Sequence, residues 1–285
     1  MKRFRLYLNS IITLFVLGVI GAGLASLFFD LNNLKPMLEE TVLEATGRKL
    51  SIDGDIELSL FPRPRATASR IRLLNTSGGS ESDATTIKIA SAQVAWFPLL
   101  VGRFDVRQIH ASGVRVLVDG AVGDKGLFVF APPKGALEIN KAPLPNLISV
   151  INLSVVLRSG AADKEFSVSR FVLRPQGNDG PTAIAITLDR NGTGVTAKGR
   201  VGNLNTITGP GPFPFTLATE AAGRSLPVDG ALSNIDGNFA VNFFLPSNKP
   251  SWVKQDQLVR SVVISAAAVA VLAASWARTT SEAFF

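Results

Sequence analysis

The chain is 285 residues long, is 46 % hydrophobic and carries a net charge of +7. It has no cysteine and one histidine, His110. That excludes disulfides, thiolate metal sites and cysteine nucleophiles, and removes most histidine-based metal and triad chemistry. The basic residues are scattered, with no run of four, so the positive balance points to an anionic membrane surface and not to nucleic acid.

Mean hydropathy is +0.28, and the excess sits in two segments near the ends. The first, Leu6–Phe29, is apolar except for Tyr7, Asn9, Ser10, Thr13 and Ser26. About 20 such residues cross a bilayer core. Lys2, Arg3 and Arg5 precede the run and Asp30 follows it, so the positive-inside rule puts the N-terminus in the cytoplasm and residues 30 onward outside it. The rival is a cleaved signal peptide, with small residues at Ala22–Ala25, but signal cores span only about 7–15 residues. A retained single-pass anchor over 1–30 is the expectation.

Residues 31–46 have helical spacing: Leu34, Leu38, Val42 and Ala45 share one face, and Gly47 supplies a stop. A short amphipathic helix is expected there. The stretch GRKLSIDGDIELSLFPRP follows, over Gly47–Pro64. Leu50, Ile52, Ile56, Leu58 and Leu60 alternate with Ser51, Asp53, Asp55, Glu57 and Ser59, the mark of a half-buried strand.

Further alternating runs predict strands over Arg65–Asn75, Thr85–Trp96, Phe104–Asp119, Leu147–Arg158, Phe166–Pro175, Thr182–Asp189, Gly194–Val201, Phe213–Thr219, Ser225–Ala231 and Gly237–Leu245. The alternation slips near Ala90–Ala92 and Ser169–Arg170, as a β-bulge requires. Gly, Pro and Lys are frequent over 120–146, which reads as a linker between a first β-rich half, 31–119, and a second, 147–246. Short turns and the absence of crossover helices predict an antiparallel meander. Its apolar face either packs on itself, as a β-sandwich, or stays open as the lining of a curved groove.

The ordered series resembles the N-terminal region of the AsmA family, the AsmA/TamB-like envelope proteins. It consists of the anchor, a helix ending TGRKL, SIDGDIELSLFPRP, SRIRLLN, IKIASAQVAWFPLLVGRFDVRQI and GVRVLVD. Leu60-Phe61-Pro62, Leu74-Asn75, Pro98-Leu99-Leu100 and Gly102 match the family pattern. AIAITLDRNGTGVTAKGRVGNL in the second half looks like its repeated strands. The resemblance implies a bacterial inner-membrane protein with a periplasmic β-rich body, a curved sheet whose apolar lining conducts phospholipid, and a part in outer-membrane homeostasis. Family members are commonly longer. Eleven strands about 4.8 Å apart extend roughly 5 nm, short of a complete bridge.

The function expected is therefore non-enzymatic binding or transfer of membrane phospholipid, without a cofactor or metal. The lining expected from alternation is Leu50, Ile52, Ile56, Leu58, Ile71, Leu73, Val114, Val116, Ile184, Ile186, Phe239, Val241 and Phe243. Arg70 and Arg72, the centre of the densest basic patch, are expected at headgroups or as solubilising charges. The alternative is a structural factor that engages outer-membrane or other envelope proteins by strand addition at an exposed edge.

Other polar groups offer little chemistry. On an extended strand Asp105 points away from His110, while Ser112 lies on the same face about 7 Å off. Asp53, Asp55 and Glu57 form a solvated strand face, with Gly54 marking a bulge or close approach. Gly209–Pro214 lacks the Lys-Ser/Thr and helix of a phosphate loop. Trp96-Phe97-Pro98 reads as core packing or as a membrane-interface group. The tail, 247–285, departs from the family, and Ser261–Ala277 reads as a second membrane helix, an interfacial helix or a frame-shifted terminus.

Overall fold

The structure is a computed structural model that describes residues 31–46, 49–74, 85–100, 105–122, 128–130, 144–158, 164–190, 193–206, 211–221, 224–235 and 238–244. The run Leu6–Phe29 and the tail 247–285 lie outside the described residues. No described helix is long and apolar enough to cross a membrane.

A 3-10 turn, Leu31–Leu34, leads into helix α1, Lys35–Thr46. Val42 is the buried contact of this helix. Its polar residues serve the sheet edge. Glu39 Oε1 accepts the Ile52 amide at 3.0 Å, and Asn32 Oδ1 of the preceding turn accepts the Ile56 amide at 3.1 Å. Two outward amides of an edge strand are thereby satisfied, which blunts the edge as a template for further pairing.

The strands are β1 Leu50–Ile52, β2 Ile56–Ser59, β3 Arg65–Leu73, β4 Thr85–Val94, β5 Val106–Val122, β6 Phe128–Phe130, β7 Leu147–Arg158, β8 Lys164–Pro175, β9 Thr182–Arg190, β10 Thr193–Val201, β11 Phe213–Ala221, β12 Arg224–Ile235 and β13 Asn238–Phe244. Helix α2, Trp96–Leu100, fills the β4–β5 connection. All the described strands belong to one hydrogen-bonded, thirteen-stranded sheet.

Neighbours pair antiparallel with one exception. β7 lies parallel to β5, from Gln108↔Leu147 to Asp119↔Arg158. The expected pure meander is corrected here: β7 begins at the end of the sheet where β5 begins, and both halves become one sheet. β6, within the expected linker, pairs three residues with β5 and three with β13. Beyond that short stitch the sheet is open. Residues 116–119 of β5 and 242–244 of β13 have a described partner strand on one side only.

The expected strand over Lys49–Leu60 is interrupted at 53–55, and the interruption belongs to a larger feature. One residue drops out of the ladder in each of five neighbouring strands: Arg70 in β3, Lys88 in β4, Gly113 in β5, Asn152 in β7 and Ser169 in β8. They lie in one row. Arg70, Gly113 and Asn152 have left-handed backbones, with φ of 50°, 63° and 54°.

Because side chains alternate with period 2, one extra residue inverts which positions face inward. The buried set accordingly changes parity across the row: Ile109 and Ala111 to Val114 and Val116 in β5, and Val168 to Phe171 and Leu173 in β8. The row ends where β9, regular throughout, absorbs it as a register shift between Val168 and Arg170. At the other end Gly54 absorbs it. A Cβ there would sit 2.1 Å from Ser69 Oγ and 2.5 Å from the Ser69 carbonyl oxygen, so only glycine fits. The expected slip at Ser169–Arg170 coincides with this row, and the one near Ala90–Ala92 lies two residues from Lys88.

The inward face forms one apolar core running from Ile71 and Ile87 through Ile109, Ile148 and Phe171 to Leu217, Val228 and Leu232. Leu204, from the 3-10 turn Leu204–Thr206 between β10 and β11, joins it. Two inward hydroxyls, Thr182 Oγ1 and Thr219 Oγ1, are buried without a hydrogen-bond partner, which costs about 1–3 kcal/mol each. Thr219→Val and Thr182→Val are isosteric and are expected to raise the thermal unfolding midpoint of the solubilised full chain. A lowered midpoint for either would show that its hydroxyl is satisfied.

Candidate functional site

The candidate site is the inward face at the β1–β4 end. Ladder register places its residues in rows. Above the bulge row lie Leu50 with Leu73, then Ile52, Ile71, Ile87 and Val114. Below it lie Ile56, Ala68, Ala90, Ala111 and Val150, then Leu58, Ala66, Ala92, Ile109 and Ile148. Five alanines thus form a low floor, bounded by Ile56 and Leu58 on one side and by Ile109, Ile148 and Val150 on the other.

Exposure divides the thirteen expected lining residues. Ile52, Ile71, Val114, Val116, Ile184 and Ile186 are buried, the last two at 3 % and 1 % exposure. Leu50, Ile56 and Leu73 are half-buried, and Leu58 is 39 % exposed. Phe239, Val241 and Phe243 stand in β13 opposite Asn234, Leu232 and Gly230; their side chains lie outside the described ones. Alternation thus brought the described members to one face. It could not separate the buried members, four of which lie in the first half, from Leu50, Ile56, Leu73 and Leu58, which stay partly accessible.

Arg70 and Arg72 converge on Asp53. Arg72 Nε lies 2.8 Å from Asp53 Oδ2, and Arg72 Nη2 donates to Oδ1 at 3.2 Å. Arg70 Nη2 donates to the Asp53 carbonyl at 3.1 Å. The Arg72 hydrogen bond, then that of Ser51, holds the Asp53 carboxyl below its ordinary value. The pair brackets the interruption between β1 and β2 and clamps the edge strand to β3.

His110 sits beside Gln108, Nε2 to Oε1 at 3.3 Å. Asp105 is ion-paired with Arg107 at 2.8 Å. The aromatic pair Trp96-Phe97 departs from the core-packing reading. Phe97 is 85 % exposed and Trp96 36 %, and neither joins the apolar core. Sequence periodicity could not show this, since five helical residues define no face.

Once these features are in place, the comparisons with known proteins add one match. A family model, that of the AsmA family, matches residues 1–117. No curated protein and no solved structure matches the chain. The matched region contains α1, the capped edge, the alanine floor and all but the end of β5.

The sheet also carries one titratable marker. Burial first, and Arg65 second, hold the His110 imidazole below its ordinary value. The unfolded chain, with a value of about 6.5, therefore takes up this proton at a higher pH than the folded chain does. Stability falls as pH drops through about 6.5 towards the folded value. His110→Gln is expected to lose less thermal stability between pH 8 and pH 5 than the parent. Parallel curves for the two would sink the assignment.

Proposed function

We propose that this chain, whose N-terminal region matches the AsmA family over residues 1–117, is a membrane-anchored envelope protein that binds phospholipid acyl chains at the β1–β4 end of its sheet. The observation that carries the reading is the grading of a single apolar face. It runs from a core sealed around Phe171, Leu173 and Val228 to a margin where Leu50, Ile56 and Leu73 are half-buried and Leu58 is exposed.

The mechanism is desolvation. An acyl chain laid over Ala66, Ala68 and Ala92, against Ile56 and Leu58, loses contact with water at about 0.8 kcal/mol per buried CH₂. The small floor residues leave room that leucines would fill, while a headgroup remains in water. No covalent step is needed. Anchoring by Leu6–Phe29, with the sheet on the periplasmic side, follows from the charges flanking that run. The assembly reading by strand addition meets an edge whose Ile52 and Ile56 amides are already engaged by Glu39 and Asn32.

Lipid extraction and native mass spectrometry of the detergent-purified full chain test the proposal. Phospholipid is expected to copurify and to fall several-fold in Leu58→Glu and Ile56→Glu, with thermal midpoints near the parent's because both side chains are partly exposed. Ala68→Phe, which fills the floor without adding charge, is expected to do the same. A parent free of lipid, or variants that keep it, would overturn the reading.

A further inference from the structure

We propose that the turn between β2 and β3 and helix α2 together form an aromatic and cationic tip that lies in the bilayer interface beside the anchor. The proposal rests on the anchoring part of the proposed function and goes beyond it: it assigns a second membrane contact and orients the sheet.

Phe97 and Phe61 are the most exposed of the described large hydrophobic side chains, at 85 % and 76 %. They come from different connections, residues 60–64 and 95–105, yet the two are built as one unit. Trp96 Nε1 donates to the Pro62 carbonyl at 3.2 Å, and the Val94 amide donates to the Pro64 carbonyl at 3.0 Å. Ser59 Oγ donates to the Phe61 carbonyl at 3.3 Å. Aromatic side chains held out on a hydrogen-bonded frame lose little conformational freedom on insertion, unlike aromatics on a slack loop.

Arg63 of this turn and Arg65, the first residue of β3, are exposed, and among the described residues neither has a carboxylate partner. Aromatics beside unpaired cations match the interfacial layer of an anionic bilayer, where the rings meet the acyl boundary and the guanidinium groups meet phosphates.

The course of α1 identifies the partner. Asn32 caps Ile56 and Glu39 caps Ile52, so this segment climbs from the level of β2 towards that of β1, antiparallel to the strand beside it. The chain therefore joins the described fold from the Phe61 end of the sheet. Leu31, where it does so, directly follows the apolar run and Asp30. A bilayer that holds Leu6–Phe29 faces the same end from which Phe61 and Phe97 project.

The absence of cysteine makes single-site labelling of the full chain direct. Ser59→Cys at the tip, and Ser167→Cys on β8 as a distant control, are labelled with an NBD fluorophore. Each chain is then reconstituted in nanodiscs of phosphatidylcholine and phosphatidylglycerol at 7:3 containing a doxyl-labelled lipid. The Ser59 label is expected to shift to the blue and to be quenched several-fold more than the Ser167 label. Phe61→Ser with Phe97→Ser is expected to abolish the difference. Arg63→Gln with Arg65→Gln is expected to make quenching the same with and without phosphatidylglycerol.

A chain that enters the discs with an unquenched Ser59 label overturns the tip alone. A blue shift without quenching by doxyl lipid assigns the aromatics to a protein partner or a second copy, and also overturns it. A chain that does not enter the discs overturns the anchoring and the tip with it.

Discussion

The parallel pairing of β5 with β7 is the contact on which the rest of the molecule depends. β5 is seventeen residues long, and over its middle it serves β4 on one side and β7 on the other. Ile109, Ile148 and Val155, each about 1 % exposed, line that junction from both strands. Without it the two halves would be joined, among the described strands, only through the three-residue strand β6. With it, β1–β4 become the margin of a sheet whose far part is sealed, and the difference in exposure along one face comes into being.

That difference also reconciles two descriptions of an apolar sheet that at first compete. A face packed on itself and a face kept for a ligand are alternatives for a uniform sheet. They coexist in one whose strands carry large inward side chains at β8–β12 and alanines at β3 and β4. Phe171, Leu173, Phe213, Phe215 and Leu217 fill their own interior. Ala66, Ala68 and Ala92 stay partly accessible. The dry part then acts as a rigid backing for the accessible part, and α1 secures its outer edge through Glu39 and Asn32.

Most of the strands were legible in the sequence because alternation is a local signal. Ile184, Ile186 and Leu188 face inward as a plain reading requires, and so do Leu50, Ile52, Ile56 and Leu58. What escaped was non-local. The β5–β7 pairing joins residues 39 apart across a Gly- and Pro-rich stretch, and nothing in either strand specifies a parallel neighbour. β6 is three residues long and gives no periodicity. The interruption at Asp53–Asp55 does not disturb the Leu/Ile pattern at all, since Gly54 takes an inward position that β3 meets with its own extra residue. At the site, alternation found the face but not the depth. The placement of Phe97 depended on a hydrogen bond from Trp96 to a turn thirty-four residues away.

The row of extra residues through Arg70, Lys88, Gly113, Asn152 and Ser169 divides the sheet into two grammars. Strands on one side of the β8–β9 boundary must contain the additional residue, in step with their neighbours. Strands on the other side must lack it. A repeat unit copied from β9–β12 could be stacked onto another such strand without disturbing anything. The same unit inserted among β3–β8 would put one end of every neighbour out of phase. Growth of such a ladder by duplication of a regular unit is thus confined to its regular half, and in the half nearest the apolar run only a unit that carries the extra residue fits.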